Sequence, residues 1–228
     1  MFVMCCVYTY LRLFLATVLA FTSCNNQSAQ NQFADADSPA QTGKRVGGNC
    51  ETCELIYVGM PESINATDTS AAWNSEGQKL VVTGTVYKPG GKTPAPNIIL
   101  YYWQTDPAGV YADKPGLNPE AKRHGYIRGW VKTDRQGRYT IYTIRPGSYP
   151  NSNNPQHIHM LVKEPQFKNE YYIDDIHFED DPLMTTAMKQ KMRNVGGSGI
   201  VKVQQQNGLQ SATRDIILGM NVSDYPKR

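Results

Sequence analysis

The chain has 228 residues, 40% of them hydrophobic, with 23 Lys and Arg against 20 Asp and Glu for a formal net charge of +3. That is enough chain for one domain with a proper core. The charge excess is too small to argue for nucleic acid, and no basic run supports such a partner.

Residues 1–23 read as an export signal. Leu11 to Phe21 is almost wholly apolar, with Arg12 near its start. The run is shorter than the ~20 apolar residues that span a bilayer, and it fits the apolar region of a signal peptide. It ends in Phe21-Thr22-Ser23-Cys24, which resembles a bacterial lipoprotein processing site, although Phe21 stands where that pattern usually has leucine. Cys24 is therefore the expected lipidation site. The expected location is outside the cytoplasm, lipid-anchored to the bacterial cell envelope. Residues 24–49 are rich in Asn, Gln, Ser, Ala, Gly and Asp. Such a stretch buries too little apolar surface to fold and reads as a disordered tether.

The folded domain is expected over residues 50–228. Cys50-Glu51-Thr52-Cys53 reads as a redox pair, half a zinc site or a local disulfide. No second such pair completes a zinc site, and no thioredoxin-like βαβ pattern surrounds it. A disulfide suits an exported chain. Strands are predicted at Lys79 to Tyr87 and Ile98 to Thr105, separated by the turn cluster Lys88-Pro89-Gly90-Gly91-Lys92. Gly129 to Thr133 and Arg138 to Thr143 form a hairpin pattern around Asp134-Arg135-Gln136-Gly137. Further strands are predicted at His157 to Val162, Tyr171 to Phe178, Ile200 to Gln204 and Thr213 to Leu218. A helix should start at Asp181 as N-cap with Pro182 in its first turn, and end before Gly196-Gly197. Many short strands with Gly/Pro turns argue for an all-β chain, a β-sandwich with long active-site loops and one or two short helices.

Two loops, Asp106 to Tyr126 and Arg145 to Gln156, are long, and long loops in a compact domain are usually functional. Tyr111 lies on the first and Tyr149 on the second, and His157-Ile158-His159 opens the strand that follows. Residues two apart on a strand face the same side, so the two imidazoles form a ready chelate. A phenolate is a hard anionic ligand that suits a trivalent metal better than zinc. Two Tyr and two His therefore point to non-haem ferric iron, and so to oxygen and phenol chemistry.

The stretch from Gly84 to Leu183 resembles the catalytic core of the intradiol ring-cleavage dioxygenases, in particular the protocatechuate-type branch. The residues that carry it are Leu100-Tyr101-Tyr102-Trp103-Gln104, Gly109-Val110-Tyr111, Thr133-Asp134, Gly137-Arg138-Tyr139, Thr143 to Pro150, His157-Ile158-His159 and Phe178 to Leu183. The resemblance implies Fe(III) held by Tyr111, Tyr149, His157 and His159. It implies cleavage of a catechol by O2 to a cis,cis-muconate, with Tyr149 as the ligand that leaves and takes a substrate proton. The partners it implies are a small aromatic diol and O2, and it leaves self-association open. One departure stands out. The family usually has arginine three residues before the first ligand histidine, whereas this chain has Asn154. An uncharged amide stabilises charge on a substrate ring less well than a cation, so Asn154 is the expected catalytic position at which substrate and rate depart from the family, and Arg128 or Arg123 is a candidate to replace the missing charge. A second family position, often Gln, falls at Asp175.

His177 reads as structural, and Arg123-His124-Gly125 as a loop feature rather than a catalytic one. Tyr101, Tyr102, Tyr139 and Tyr142 are expected to fill a sandwich face. The rival class is a non-catalytic transthyretin-like surface module, which has no use for the tyrosine–histidine quartet. A zinc hydrolase on His157 and His159 needs a third ligand and leaves the tyrosines unexplained.

Overall fold

The computed structural model describes residues 44–227. The expected signal peptide, Cys24 and the tether as far as residue 43 lie outside the described residues. Packed structure begins before the expected boundary at residue 50. Val46 is buried, Arg45 pairs with Glu170 at 2.7 Å, and the Gly47 amide donates to the Ser223 carbonyl at 2.7 Å.

The strands are β1 (Thr67–Thr69), β2 (Lys79–Tyr87), β3 (Ile99–Gln104), β4 (Arg128–Lys132), β5 (Arg138–Ile144), β6 (His157–Lys163), β7 (Tyr171–Tyr172), β8 (Ile176–Phe178), β9 (Ile200–Val201), β10 (Gln204–Gln206), β11 (Leu209–Thr213) and β12 (Ile216–Ile217). One α-helix is described, α1 (Thr186–Lys191), with short 3₁₀ turns at Cys53–Ile56 and Pro119–His124. One sheet runs β1-β5-β2-β11-β10 with β12 also on β2, and the other runs β4-β3-β6-β8-β9 with β7 also on β6. The chain is an all-β sandwich, as its pattern of short strands and turns predicts.

Alternation along β2 turns Leu80, Val82 and Val86 inward, where they meet Tyr139 and Ile141 of β5. From the second sheet Leu100, Tyr102, Ile158, Met160 and Val162 complete this core. β3 is buried on both faces. Its outward Tyr101 and Trp103, with Leu161 of β6, are covered by Cys53 and Ile56 of the first 3₁₀ turn. The outward side of β6 therefore has a roof, and His157 and His159 stand on that side. Cys50 and Cys53 are joined as a disulfide, with Cα atoms 5.6 Å apart. Tyr142 departs from the expected core role: it is half-buried, edge-on to Trp73 at 5.2 Å.

Several predicted elements come out differently. β4 and β5 do not pair as a hairpin, because β4 lies on β3 and β5 lies between β1 and β2. Thr133 explains the parting. Its hydroxyl donates to the Ala95 carbonyl at 2.8 Å and accepts the Ile98 amide at 2.9 Å, tying the end of β4 to the approach of β3. The Asp134 turn then carries the chain across the core instead of back along the same sheet. The strand over Tyr171 to Phe178 divides into β7 and β8, because the Asp174 amide turns to the Val195 carbonyl at 2.9 Å. The helix starts at Thr186 with Thr185 as N-cap, its hydroxyl accepting the Met188 amide at 3.3 Å. Asp181 caps no helix. It accepts the amides of Leu183 at 2.8 Å and Gln156 at 2.6 Å, pinning the segment just ahead of His157. The predicted C-terminal strands also shift. Ile200 to Gln204 divides between β9 and β10 on different sheets, and Thr213 to Leu218 between the end of β11 and β12.

Candidate metal centre

Asp106 shapes the loop that carries Tyr111. Its carboxylate accepts the amides of Ala108 at 2.9 Å and Val110 at 3.0 Å. Its carbonyl accepts the Gly147 amide at 2.8 Å, and Thr105 donates its hydroxyl to the Gly147 carbonyl at 2.7 Å. The two tyrosine loops thus run backbone against backbone. Gly109, at φ +80°, has no room for a Cβ against the Ser148 carbonyl, and Gly147 has none against the Pro107 carbonyl. The glycines of Gly109-Val110-Tyr111 and Gly147-Ser148-Tyr149 are there because the loops must touch.

This contact brings the two phenols together over the outward face of β6. The hydroxyls of Tyr111 and Tyr149 are in direct contact. His159 Nε2 lies 2.8 Å from the Tyr111 oxygen and 3.2 Å from the Tyr149 oxygen. His157 Nε2 lies 3.1 Å from the Tyr149 oxygen and 3.2 Å from His159 Nε2. Donors about 2.1 Å from one cation and at right angles to each other are spaced about 3 Å apart. The contacts made by the two Nε2 atoms, 2.8–3.2 Å, have that spacing, and with the tyrosine hydroxyls in direct contact the donor set fits a metal ion with hard anionic and imidazole ligands.

Each imidazole is oriented from behind. His157 Nδ1 is 2.7 Å from the Pro155 carbonyl, and His159 Nδ1 is 3.1 Å from the Asp175 carboxylate. His157, His159 and Asp175 form a His/His/carboxylate group with candidate ligand atoms within 4.8 Å of one another. Asp175 faces the nitrogen of His159 that points away from the tyrosines, which places it behind the ligand ring. Burial lowers the His157 imidazole, keeping it neutral with a lone pair to give. Burial raises both phenols, Tyr111 further through its bond to Tyr149. Without a cation they hold their protons, and binding one would release them. Asp175 is held below the usual carboxylate range, burial being outweighed by the charge of and hydrogen bond to His159.

The structure brings together all four sequence-predicted ligands. Asn154 stands apart from them: it is exposed, and its backbone amide donates to the Ser152 hydroxyl at 3.1 Å. Arg128 is committed elsewhere, donating to the Leu55 and Val58 carbonyls at 2.7 Å each and lying over the rings of Tyr101 and Trp130. Arg123 pairs with Glu51 at 3.1 Å beside a cavity of about 220 Å³ that Tyr111 and His159 also line. His177 packs 5.6 Å from the His157 ring, a supporting place.

His124 is closer to the centre than a loop feature would be. It is 3% exposed and stacks on Trp103 at 4.0 Å, and Trp103 stacks on His159 at 4.7 Å. Its nitrogens meet the Tyr101 hydroxyl at 2.8 Å and the Thr52 hydroxyl at 3.0 Å. Nothing in the run Arg123-His124-Gly125 signals this, because the 3₁₀ turn that delivers it is too short for periodicity.

Residues 57–216 match a family model described as dioxygenase. The beta chain of protocatechuate 3,4-dioxygenase from Burkholderia cepacia is 34% identical over 114 residues, covering 47% of this chain and 48% of that one. Catechol 1,2-dioxygenase from Acinetobacter baylyi is 26% identical over 125 residues, covering 47% and 39%. The chain spans about half the length, or less, of these curated relatives. Among solved structures, the dioxygenase domain of a dioxygenase–carbohydrate-binding fusion from Streptomyces sp. SirexAA-E superposes with a TM-score of 0.53 at 23% identity, covering 70% of this chain and 91% of that one. That likeness shows a shared fold.

Proposed function

Since the chain belongs to the intradiol dioxygenase family, we propose that it cleaves a catechol-type aromatic between its two hydroxylated carbons with O2, using Fe(III), to a cis,cis-muconate. The observation that carries this reading is the convergence of Tyr111, Tyr149, His157 and His159 from two loops and one strand. These four residues would hold the iron. When bound, ferric iron supplies the Lewis acidity and the electronic route between catechol and O2 that no side chain has.

The chain's own contributions follow from its geometry. Tyr149 sits on the loop beside His157, and its phenolic oxygen is the proposed acceptor of a substrate hydroxyl proton. Once protonated, that oxygen has the Tyr111 hydroxyl and both imidazoles within hydrogen-bond reach. His157 and His159 keep their Nε2 lone pairs on the centre, because Pro155 and Asp175 engage their Nδ1 atoms. Trp103 and Tyr172 line the cavity beside Tyr111 and His159. A transthyretin-like module needs none of this. We also propose that Cys24 carries lipid and holds the exported domain at the bacterial envelope.

The test is the purified domain. It should be burgundy from tyrosinate-to-ferric charge transfer, carry about one iron per chain, take up O2 with catechol and yield a ring-opened dicarboxylate. A colourless protein with stoichiometric zinc refutes the reading, as does a product with an aldehyde beside a carboxylate.

A further inference from the structure

The two candidate ligand histidines, whose Nε2 atoms lie 3.2 Å apart, have unlike partners behind them. His157 Nδ1 meets a neutral carbonyl, that of Pro155, at 2.7 Å. His159 Nδ1 meets a carboxylate oxygen of Asp175 at 3.1 Å. Asp175 is not a carboxylate on a loose loop. It ends the break between β7 and β8, and Ile176 and His177 then pair with Ile158 and His157. On its other side the Gly199 backbone runs so close that a Cβ at 199 would collide with the Asp175 carbonyl. The His177 amide donates to the Gly199 carbonyl at 2.9 Å, closing the same contact. The fold therefore fixes where the Asp175 carboxylate stands relative to His159.

We propose that Asp175 is a positioning residue for the metal centre: it holds His159 as the Nδ1–H tautomer and places a negative charge behind that one ligand. This rests on the reading that the quartet holds ferric iron. A ligand imidazole hydrogen-bonded to a carboxylate is more basic and more firmly oriented than one bonded to an amide carbonyl, and such outer partners typically change metal affinity 10–100-fold. His159 is then the stronger donor of the pair, and the centre is electronically lopsided. The side chain at 175 sets how much electron density reaches the iron without touching it.

The first measurement needs no variant. Nitrogen-15 NMR of the metal-free parent, recorded at a pH where the His159 imidazole is neutral, should show its proton on Nδ1, and the Nε2–H tautomer overturns the proposal. The second compares the parent with Asp175→Asn, which keeps an acceptor without the charge, and Asp175→Ala, which keeps neither. Iron retained against a chelator should fall from parent to Asn to Ala, the full loss reaching roughly 10–100-fold. The tyrosinate charge-transfer band should move to longer wavelength in the same order, because an iron receiving less donation from His159 accepts tyrosinate charge more easily. A purely structural role would lower the melting temperature and leave the band in place. If the parent shows the band and both variants match it in position and retention, the role of Asp175 is refuted and the iron reading survives. If the parent never shows the band, the iron reading fails instead, while the tautomer still reports on Asp175.

Discussion

Tyr111 meets both the Tyr149 hydroxyl and His159 Nε2, so Tyr111→Phe removes one donor and uncouples two others. The variant should lose the charge-transfer band or shift it strongly, with iron content falling in parallel, as optical spectra and elemental analysis would show. His124 tests the surroundings of the same centre. Burial, followed by the charges of Arg128 and His159, pushes its imidazole down to about 3, whereas an unfolded histidine titrates near ~6.5. Between those values the unfolded chain binds a proton that the folded one refuses. The His124 contribution is therefore intact above ~6.5 and is lost as pH falls towards 3, at a limiting slope of about 1.4 kcal/mol per pH unit. His124→Gln keeps a polar side chain that does not titrate. Urea unfolding of the metal-free variant should lose less stability between pH 7 and pH 5 than the parent does, and equal losses would mean that His124 protonates freely in the fold. Asn154 is a third residue-scale test. It is exposed, so an arginine fits there without displacing core atoms. If residue 154 faces the bound ring, Asn154→Arg should raise turnover on a simple catechol by roughly one to two orders of magnitude and leave the iron spectrum unchanged. Unchanged kinetics on both a small and a bulky catechol would show that residue 154 does not face the substrate.

At the scale of elements, the two tyrosine loops act as one unit. Gly109→Ala would have to place a Cβ against the Ser148 carbonyl from a backbone at φ +80°. The penalty should exceed ~1 kcal/mol, and because the two loops would part, iron per chain should fall more steeply than the melting temperature suggests. A variant that keeps full iron would mean that the loops are held by other contacts. Much of this was legible in the sequence. The strand Lys79–Tyr87 and the shared face of His157 and His159 follow from alternation alone, which is local. What was not legible depended on distant partners. The turn at Asp134 has the same chemistry whether the chain returns along its own sheet or crosses to the other, and the outcome rests on Thr133 reaching Ala95 and Ile98. Asp181-Pro182 is a good helix start by local rules, yet the Asp181 carboxylate is drawn to the Gln156 amide. Spacing marked Asp175 as a family position, but its contact with His159 Nδ1 and the stacking of His124 on Trp103 needed the fold.

At the scale of the whole chain, the catalytic reading and the location are separable. The described domain has its core between two sheets and brings the four candidate ligands together from its own two loops and β6. None of its described helices is long and apolar enough to cross a membrane. Its net charge of +3 is too small for firm electrostatic attachment, since each basic group at an anionic surface contributes about 1 kcal/mol. The membrane attachment proposed above is by lipid on Cys24. A single acyl chain gives only marginal, reversible binding, so stable anchoring requires more than one chain on that cysteine. Cys24→Ser in the full chain should move the protein from the membrane fraction to the soluble exported fraction, while iron content and ring cleavage stay at parental levels. Identical fractionation of parent and variant would remove the lipid assignment without touching the metal centre. A soluble variant that had also lost its iron would mean that the segment around Cys24 supports the domain itself.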